Sequence, residues 1–119
     1  MDDKCNFEKK PWGSFEVLKE GNGFLIKIIT VMKGEMISLQ YHEHRDEQWF
    51  VVSGSGMMTL GEERFPVAEN ETVSIPKKTI HRIEGITDIV FVEIQKGDIL
   101  DEKDIVRLDD KYNRIKITE

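Results

Sequence analysis

The sequence is divided into many short runs of β-branched and aromatic residues, in which polar and apolar positions tend to alternate. Alternation is typical of half-buried strands, whereas an amphipathic helix repeats every three to four residues. Gly, Pro, Asn or Asp separates most runs. The predicted strands cover residues 15–18, 24–32, 36–41, 48–53, 57–60, 64–67, 71–75, 80–84 and 89–95, with a tenth at 105–108. Many short strands predict an all-β sandwich or barrel, in which closure removes exposed sheet edges.

Length and charge limit what such a barrel can do. The 119 residues predict a single domain, residues 1–119, with strands within about 12–96 and a C-terminal tail at about 97–119. Lys and Arg number 17 against 23 Asp and Glu, and the net charge of -6 disfavours binding to nucleic acid or to an anionic membrane. The single Cys5 and the polar N-terminus predict a cytoplasmic protein.

The histidines and one glutamate form a pattern typical of a metal site. Alternation through residues 36–44 places Gln40, His42 and His44 on one face of a strand, together with Ser38. A turn at residues 45–46 would then bring Glu47 on the next strand close to the imidazoles, and His81 lies in an otherwise apolar strand. Nitrogen and oxygen ligands suit divalent zinc, manganese, iron, cobalt or nickel.

Other interpretations of these polar residues remain open. Taken singly, His42 and His44 would each favour a solvated loop, and His81 a hydrogen-bonded core position. Glu93 and Gln95 either face the same cavity and orient an imidazole, or are polar positions on a half-exposed strand. The sequence pattern favours one shared site, because all three histidines and a spaced carboxylate fit it.

The segment from His42 through Glu47 to Gly54, followed by Pro76 and His81, resembles the two cupin motifs. Residues 10–18 (KPWGSFEVL), 38–45 (SLQYHEHR), 47–54 (EQWFVVSG) and 104–107 (DIVR) resemble the type II mannose-6-phosphate isomerase domain. This resemblance implies a double-stranded β-helix, the cupin jelly-roll barrel. It also implies a metal ion, most simply zinc, bound by Gln40, His42, Glu47 and His81, with His44 beside the site. Arg107 and Arg114 match the closing arginines of the family.

The resemblance implies a metal-dependent isomerase that interconverts mannose 6-phosphate and fructose 6-phosphate. Candidates for the proton-transferring base are Glu93, His44 and a metal-bound water. Arg107 or Arg114 would bind the phosphate, with Lys10 or Arg45 as lesser options.

In this family the domain usually follows a guanylyltransferase, whose activity we do not expect here. Two further hypotheses stay open: a non-catalytic cupin that retains the metal and binds a sugar or a sugar phosphate, and an iron-dependent dioxygenase. A homodimer formed through sheet edges is expected in each case.

Overall fold

The computed structural model describes residues 6–113, which form eleven strands in two antiparallel sheets. The strands are β1 (Phe7–Lys10), β2 (Gly13–Gly21), β3 (Phe24–Val31), β4 (Leu39–Tyr41), β5 (Arg45–Ser53), β6 (Ser55–Leu60), β7 (Glu63–Ala68), β8 (Thr72–Ile75), β9 (His81–Gly85), β10 (Ile89–Gly97) and β11 (Val106–Asp109). The larger sheet has the order β1-β2-β3-β10-β5-β8, and the smaller sheet has the order β11-β4-β9-β6-β7. The predicted all-β fold is confirmed. Across residues 6–113 we find no helix capable of crossing a membrane.

Each predicted strand overlaps an observed one. The differences are at the ends of strands, in the length of β4 and in the unpredicted strand β1. The sequence pattern missed β1, a short edge strand whose residues are mostly exposed and charged, so it has no apolar period. The strand predicted over residues 36–41 is shorter, because Met36 makes only an isolated bridge to Glu84 before β4 begins. The segment predicted as a tail contains β11, which pairs with β4.

Alternation along the strands decides what faces the barrel interior. On β3 the buried positions are Leu25, Lys27, Ile29 and Val31, and the intervening positions are only partly buried. Successive inward positions form rows that run across the larger sheet, because the strands pair in register. One row, the apolar row, consists of Phe15, Ile29, Phe91 and Val51. The next, the polar row, contains Lys27, Glu93 and Trp49.

A third row of inward positions, next to the polar row, also contains polar side chains. Gln95 on β10 pairs with Glu47 on β5, and both side chains are buried. The apolar row instead joins the hydrophobic core, which includes Met58 and Ile83 from the smaller sheet. Polar chemistry is therefore concentrated in one part of the interior, and apolar packing in the other.

The turn between β5 and β6 depends on a glycine. Gly54 has a φ of 82°, and a Cβ atom there would lie 2.0 Å from the carbonyl oxygen of Asp88. A side chain is excluded at this position both by backbone conformation and by contact. This explains the glycine that follows the run of residues 47–53 in the sequence.

Candidate metal centre

Three buried side chains from three places in the chain meet inside the barrel. His42 follows β4, Glu47 lies in β5, and His81 is the first residue of β9. One potential ligand atom from each lies within 4.8 Å of the others, and their exposures are 4%, 1% and 1%. Nε2 of His42 is 3.2 Å from Oε2 of Glu47, and Nε2 of His81 is 3.9 Å from Oε1 of the same carboxylate.

Backbone carbonyls orient both imidazoles. Nδ1 of His42 lies 2.6 Å from the carbonyl oxygen of Asp104, and Nδ1 of His81 lies 2.9 Å from that of Thr79. Because a carbonyl only accepts, each Nδ1 carries the proton and donates it, which leaves the lone pair on Nε2. Such outer hydrogen bonds fix the tautomer and the ring orientation of metal-binding histidines.

The charge states of the two histidines also suit a metal ion. Burial, followed by the nearby Arg45 guanidinium, lowers the pKa of His42 to about 4. Burial likewise lowers the pKa of His81. Both rings are therefore neutral at physiological pH, the form in which imidazole binds metals. Two neutral nitrogens and a carboxylate oxygen fit a divalent ion such as zinc.

Gln40 lies close to this group on the smaller sheet. It pairs directly with His81 on β9 and, on its other side, with Arg107 on β11. Its side chain is buried and lines the same cavity. The structure thus brings all four predicted ligands, Gln40, His42, Glu47 and His81, to one cavity.

A guanidinium contacts the atoms that would face a metal ion. Nε of Arg45 donates to Oε2 of Glu47 over 2.8 Å, and Nη2 lies 3.2 Å from Nε2 of His42. Arg45 is buried, so it neutralises the carboxylate at close range. A metal ion bound through Oε2 of Glu47 and Nε2 of His42 would occupy the space that Arg45 now contacts, so Arg45 would have to move to admit it there.

A hydrogen-bond network joins the ligand Glu47 to a second buried carboxylate. Nε1 of Trp49 lies 3.0 Å from Oε1 of Glu47 and 3.1 Å from Oε1 of Glu93. Nε2 of Gln95 donates to Oε2 of Glu93 over 2.8 Å. Burial, followed by the neighbouring Glu47 carboxylate, raises the pKa of Glu93 to about 7. The structure places both Glu93 and Gln95 on the inner face.

His44 does not share the face of His42, so this part of the sequence prediction was wrong. A bend at Glu43 and His44 interrupts the alternation, and β5 begins at Arg45 without the predicted turn at residues 45–46. The Asp104 carboxylate accepts from the backbone N–H groups of Glu43 and His44, both over 3.0 Å. The His44 side chain is exposed and is absent from the cavity lining.

The cavity next to the metal-binding group is about 170 Å³ in volume. Among residues 6–113, the cationic side chains that line it are Lys10, Lys27, Arg45 and Arg107. The other predicted arginine, Arg114, lies outside the described residues.

Sequence reasoning gave no role to Lys27, and the one available signal was a lysine at an inward position of an apolar strand. It also missed Asp104, because an acidic loop residue gives no periodic signal.

Comparison with known families identifies the family of this chain. The family model "Mannose-6-phosphate isomerase C-terminal" matches residues 3–110. The chain belongs to this family. Among curated members with similar sequences, the mannose-1-phosphate guanylyltransferase RfbM of Salmonella typhimurium is 43% identical over 104 residues, which are 86% of this chain and 22% of RfbM. The alginate biosynthesis protein AlgA of Pseudomonas aeruginosa is 41% identical over 107 residues, 88% of this chain and 22% of AlgA.

This member of the mannose-6-phosphate isomerase C-terminal family thus spans about a fifth of the length of those relatives. Solved structures share its fold. An oxalate decarboxylase variant from Bacillus subtilis matches with a TM-score of 0.78 and 15% identity, over 87% of this chain and 30% of that one. KdgF from Halomonas matches with a TM-score of 0.73 and 14% identity, over 82% and 88%. The described residues form a cupin double-stranded β-helix.

Proposed function

We propose that this chain is a metal-dependent isomerase that interconverts mannose 6-phosphate and fructose 6-phosphate. The observation that carries the proposal is the placement of a buried three-residue ligand group, a second buried carboxylate and four cations around one cavity. The family description and the sugar-phosphate enzymes among the relatives support the choice of substrate.

The ligand group would be His42, Glu47 and His81, with the amide oxygen of Gln40 as a fourth member. When bound, a divalent ion supplies Lewis acidity that stabilises negative charge on the reacting sugar oxygens. Zinc is our first choice, and manganese, iron, cobalt and nickel also suit the ligands. The protein contributes the fixed orientation of the imidazoles and a set of buried ligand side chains.

Glu93 is our candidate for the base that moves the proton. From the aldose it would take the proton on C2, which gives an enediolate with a double bond between C1 and C2, and it would return this proton to C1 as the carbonyl forms at C2. The O2 hydroxyl loses its proton in the same reaction, and O1 gains one. Glu93 lines the cavity and is held by Trp49 and Gln95, whereas the His44 side chain lies outside it. A buried, fixed carboxylate within the site suits repeated proton transfer.

Arg107 is our candidate for binding the phosphate group. It lines the cavity beside Gln40 and is partly buried. A guanidinium presents paired N–H donors that match phosphate oxygens. We predict that Arg107→Ala raises KM for mannose 6-phosphate by about tenfold or more, the effect of one charge-assisted hydrogen bond. Metal content measured on the same sample should stay unchanged, and an unaltered KM would remove this assignment.

The test of the proposal is formation of fructose 6-phosphate from mannose 6-phosphate by the full chain. The protein is stripped of metal and reloaded separately with zinc, manganese, cobalt or nickel. We expect turnover only after reloading, and none in Glu47→Gln. The exposed Glu69→Gln serves as the matched control, because the same chemical change is made far from the cavity lining. Absence of turnover with every metal would contradict the proposal.

A second candidate is a sugar-phosphate-binding cupin without catalysis. The contact of Arg45 with both Glu47 and His42 favours it, since a guanidinium can neutralise the carboxylate in place of a metal ion. Such a protein would be stabilised against unfolding by fructose 6-phosphate and would not convert it. Thermal unfolding with and without the ligand, read beside the turnover assay, separates the two functions. The homodimer stays a prediction, which light scattering in solution would test.

A further inference from the structure

Lys27 occupies a position where a charged side chain is costly. It lies on β3 between the buried residues Leu25 and Ile29, and its side chain is 9% exposed. A buried ammonium loses its hydration and needs compensating contacts. The isomerase mechanism proposed above gives it no role.

The contacts of Lys27 compensate this cost only in part. Its Nζ lies 4.1 Å from the centre of the Phe15 ring, an attractive cation–π position. Among residues 6–113, its ion pair is with Glu102, at an Nζ–Oε1 distance of 3.6 Å. The Glu102 side chain is 60% exposed, so solvent screens this pair. An exposed carboxylate of this kind is readily exchanged for another anion.

A second ammonium lies near the same aromatic ring. Nζ of Lys10 is 5.6 Å from the centre of the Phe15 ring, and both lysines line the cavity. Lys10 is paired with Glu8, at an Nζ–Oε2 distance of 2.5 Å, and the Glu8 side chain is 48% exposed. Both lysines therefore have solvent-exposed carboxylate partners, which an anion inside the cavity can replace.

We propose that Lys27 binds the phosphate group of the substrate from the larger sheet, with Lys10 lining the same cavity. In the absence of substrate, the Glu102 carboxylate is the anionic partner of Lys27, and the phosphate group replaces it. The identification of the anion as a sugar phosphate rests on the proposed function. A phosphate dianion carries more charge than one guanidinium neutralises, so Lys27 complements Arg107, which lines the same cavity from the smaller sheet. Anion binding at Lys27 requires no metal ion.

The experiment measures binding by titration calorimetry on the full chain after metal removal, with inorganic phosphate, fructose 6-phosphate and fructose as separate probes. Lys27→Met removes the charge and retains an unbranched side chain. Lys27→Arg retains the charge, and Glu102→Gln weakens the internal competitor. Lys96→Met is the matched control, because Lys96 is exposed and is not part of the cavity lining.

Lys27→Met should lower the affinity for phosphate and for fructose 6-phosphate by about tenfold or more, and leave weak binding of fructose unchanged. Lys27→Arg should retain most of the affinity, Glu102→Gln should raise it, and Lys96→Met should match the wild type. Lys27→Met should also unfold at a temperature no lower than that of the wild type, since an apolar group replaces a buried cation.

Equal phosphate affinities in the wild type and Lys27→Met would overturn the inference. So would a failure of the wild type to bind either phosphate-bearing probe. These outcomes are independent of catalysis: phosphate binding that depends on Lys27 would stand even if no metal restored turnover. Turnover with a KM that is insensitive to Lys27→Met would retain the isomerase and refute the role of Lys27.

Discussion

The apolar row and the polar row lie side by side on the inner face of the larger sheet, on the same strands and with the same alternation. Ile29 and Lys27 are two positions apart on β3, and Phe91 and Glu93 are two positions apart on β10. The apolar row removes hydrocarbon from water, and burying each large side chain contributes about 1.5–3 kcal/mol. The polar row loses hydration instead, and its groups must be paired. The comparison shows that alternation sets which residues face inward, while side-chain chemistry decides whether a row stabilises the fold or serves a site.

The two rows meet at Trp49. Its ring stacks on Phe91 of the apolar row, with ring centroids 4.3 Å apart, and its indole N–H faces the carboxylates of Glu47 and Glu93. The packed part of the barrel thus holds the polar part in position. Substitutions in the apolar row should therefore lower stability, whereas substitutions around the candidate metal ligands should change metal binding.

The largest expected effect is on stability. Phe91→Ala removes a side chain that is 1% exposed and should lower the free energy of unfolding by about 3–5 kcal/mol. Urea denaturation measures this loss, and Phe50→Ala, an exposed aromatic position on β5, is the control. A loss below 1 kcal/mol for Phe91→Ala would mean that the apolar row is not what stabilises the barrel.

The next effect is on metal binding, and it is accompanied by some loss of stability because Glu47→Gln leaves the buried Arg45 guanidinium without its carboxylate partner. Glu47→Gln removes the carboxylate charge and should weaken zinc binding by more than about 100-fold, beyond the range of outer-sphere substitutions. Titration calorimetry with zinc measures the change, and Glu69→Gln should bind as the wild type does. Equal affinities would exclude Glu47 as a ligand.

Removal of the Arg45 guanidinium should raise zinc affinity, in contrast to the loss expected for Glu47→Gln. Arg45→Met frees Oε2 of Glu47 and Nε2 of His42 from their contacts with Arg45, so zinc affinity should rise by about tenfold, the equivalent of one net charged hydrogen bond. The exposed Arg64→Met provides a control with no change. Weaker zinc binding in Arg45→Met would show that Arg45 supports the site.

The smallest effect should come from Trp49, the polar-row residue that stacks on the apolar row. Trp49→Phe keeps an aromatic ring against Phe91 and removes the N–H that faces Glu47 and Glu93. We expect a loss of about 1 kcal/mol in unfolding free energy and a loss of zinc affinity that does not exceed about tenfold. A loss as large as that of Phe91→Ala would place Trp49 with the apolar row alone.

The strand pattern and the placement of the candidate ligands around one cavity were accessible from the sequence, largely because both depend on local alternation. Gln40, His42 and Glu47 lie within eight positions of one another, and His81 stands out as the remaining histidine. The contact of Arg45 with Glu47 was missed because a turn was predicted at residues 45–46, whereas β5 begins at Arg45 and alternation places both side chains on the inner face. Lys27 was equally hidden, because its partners Phe15 and Glu102 are distant in sequence. His44 was misplaced since the bend at 43–44 is stabilised by Asp104, about sixty residues later.

The most direct test of this account is a crystal structure of the zinc-loaded protein, with anomalous diffraction collected at the zinc absorption edge. We predict one anomalous peak inside the barrel, within bonding distance of Nε2 of His42, Nε2 of His81 and a carboxylate oxygen of Glu47, with the Arg45 guanidinium displaced from that oxygen. Zinc bound only elsewhere, with Arg45 still paired to Glu47, would contradict the assignment of the polar part of the barrel as a metal centre.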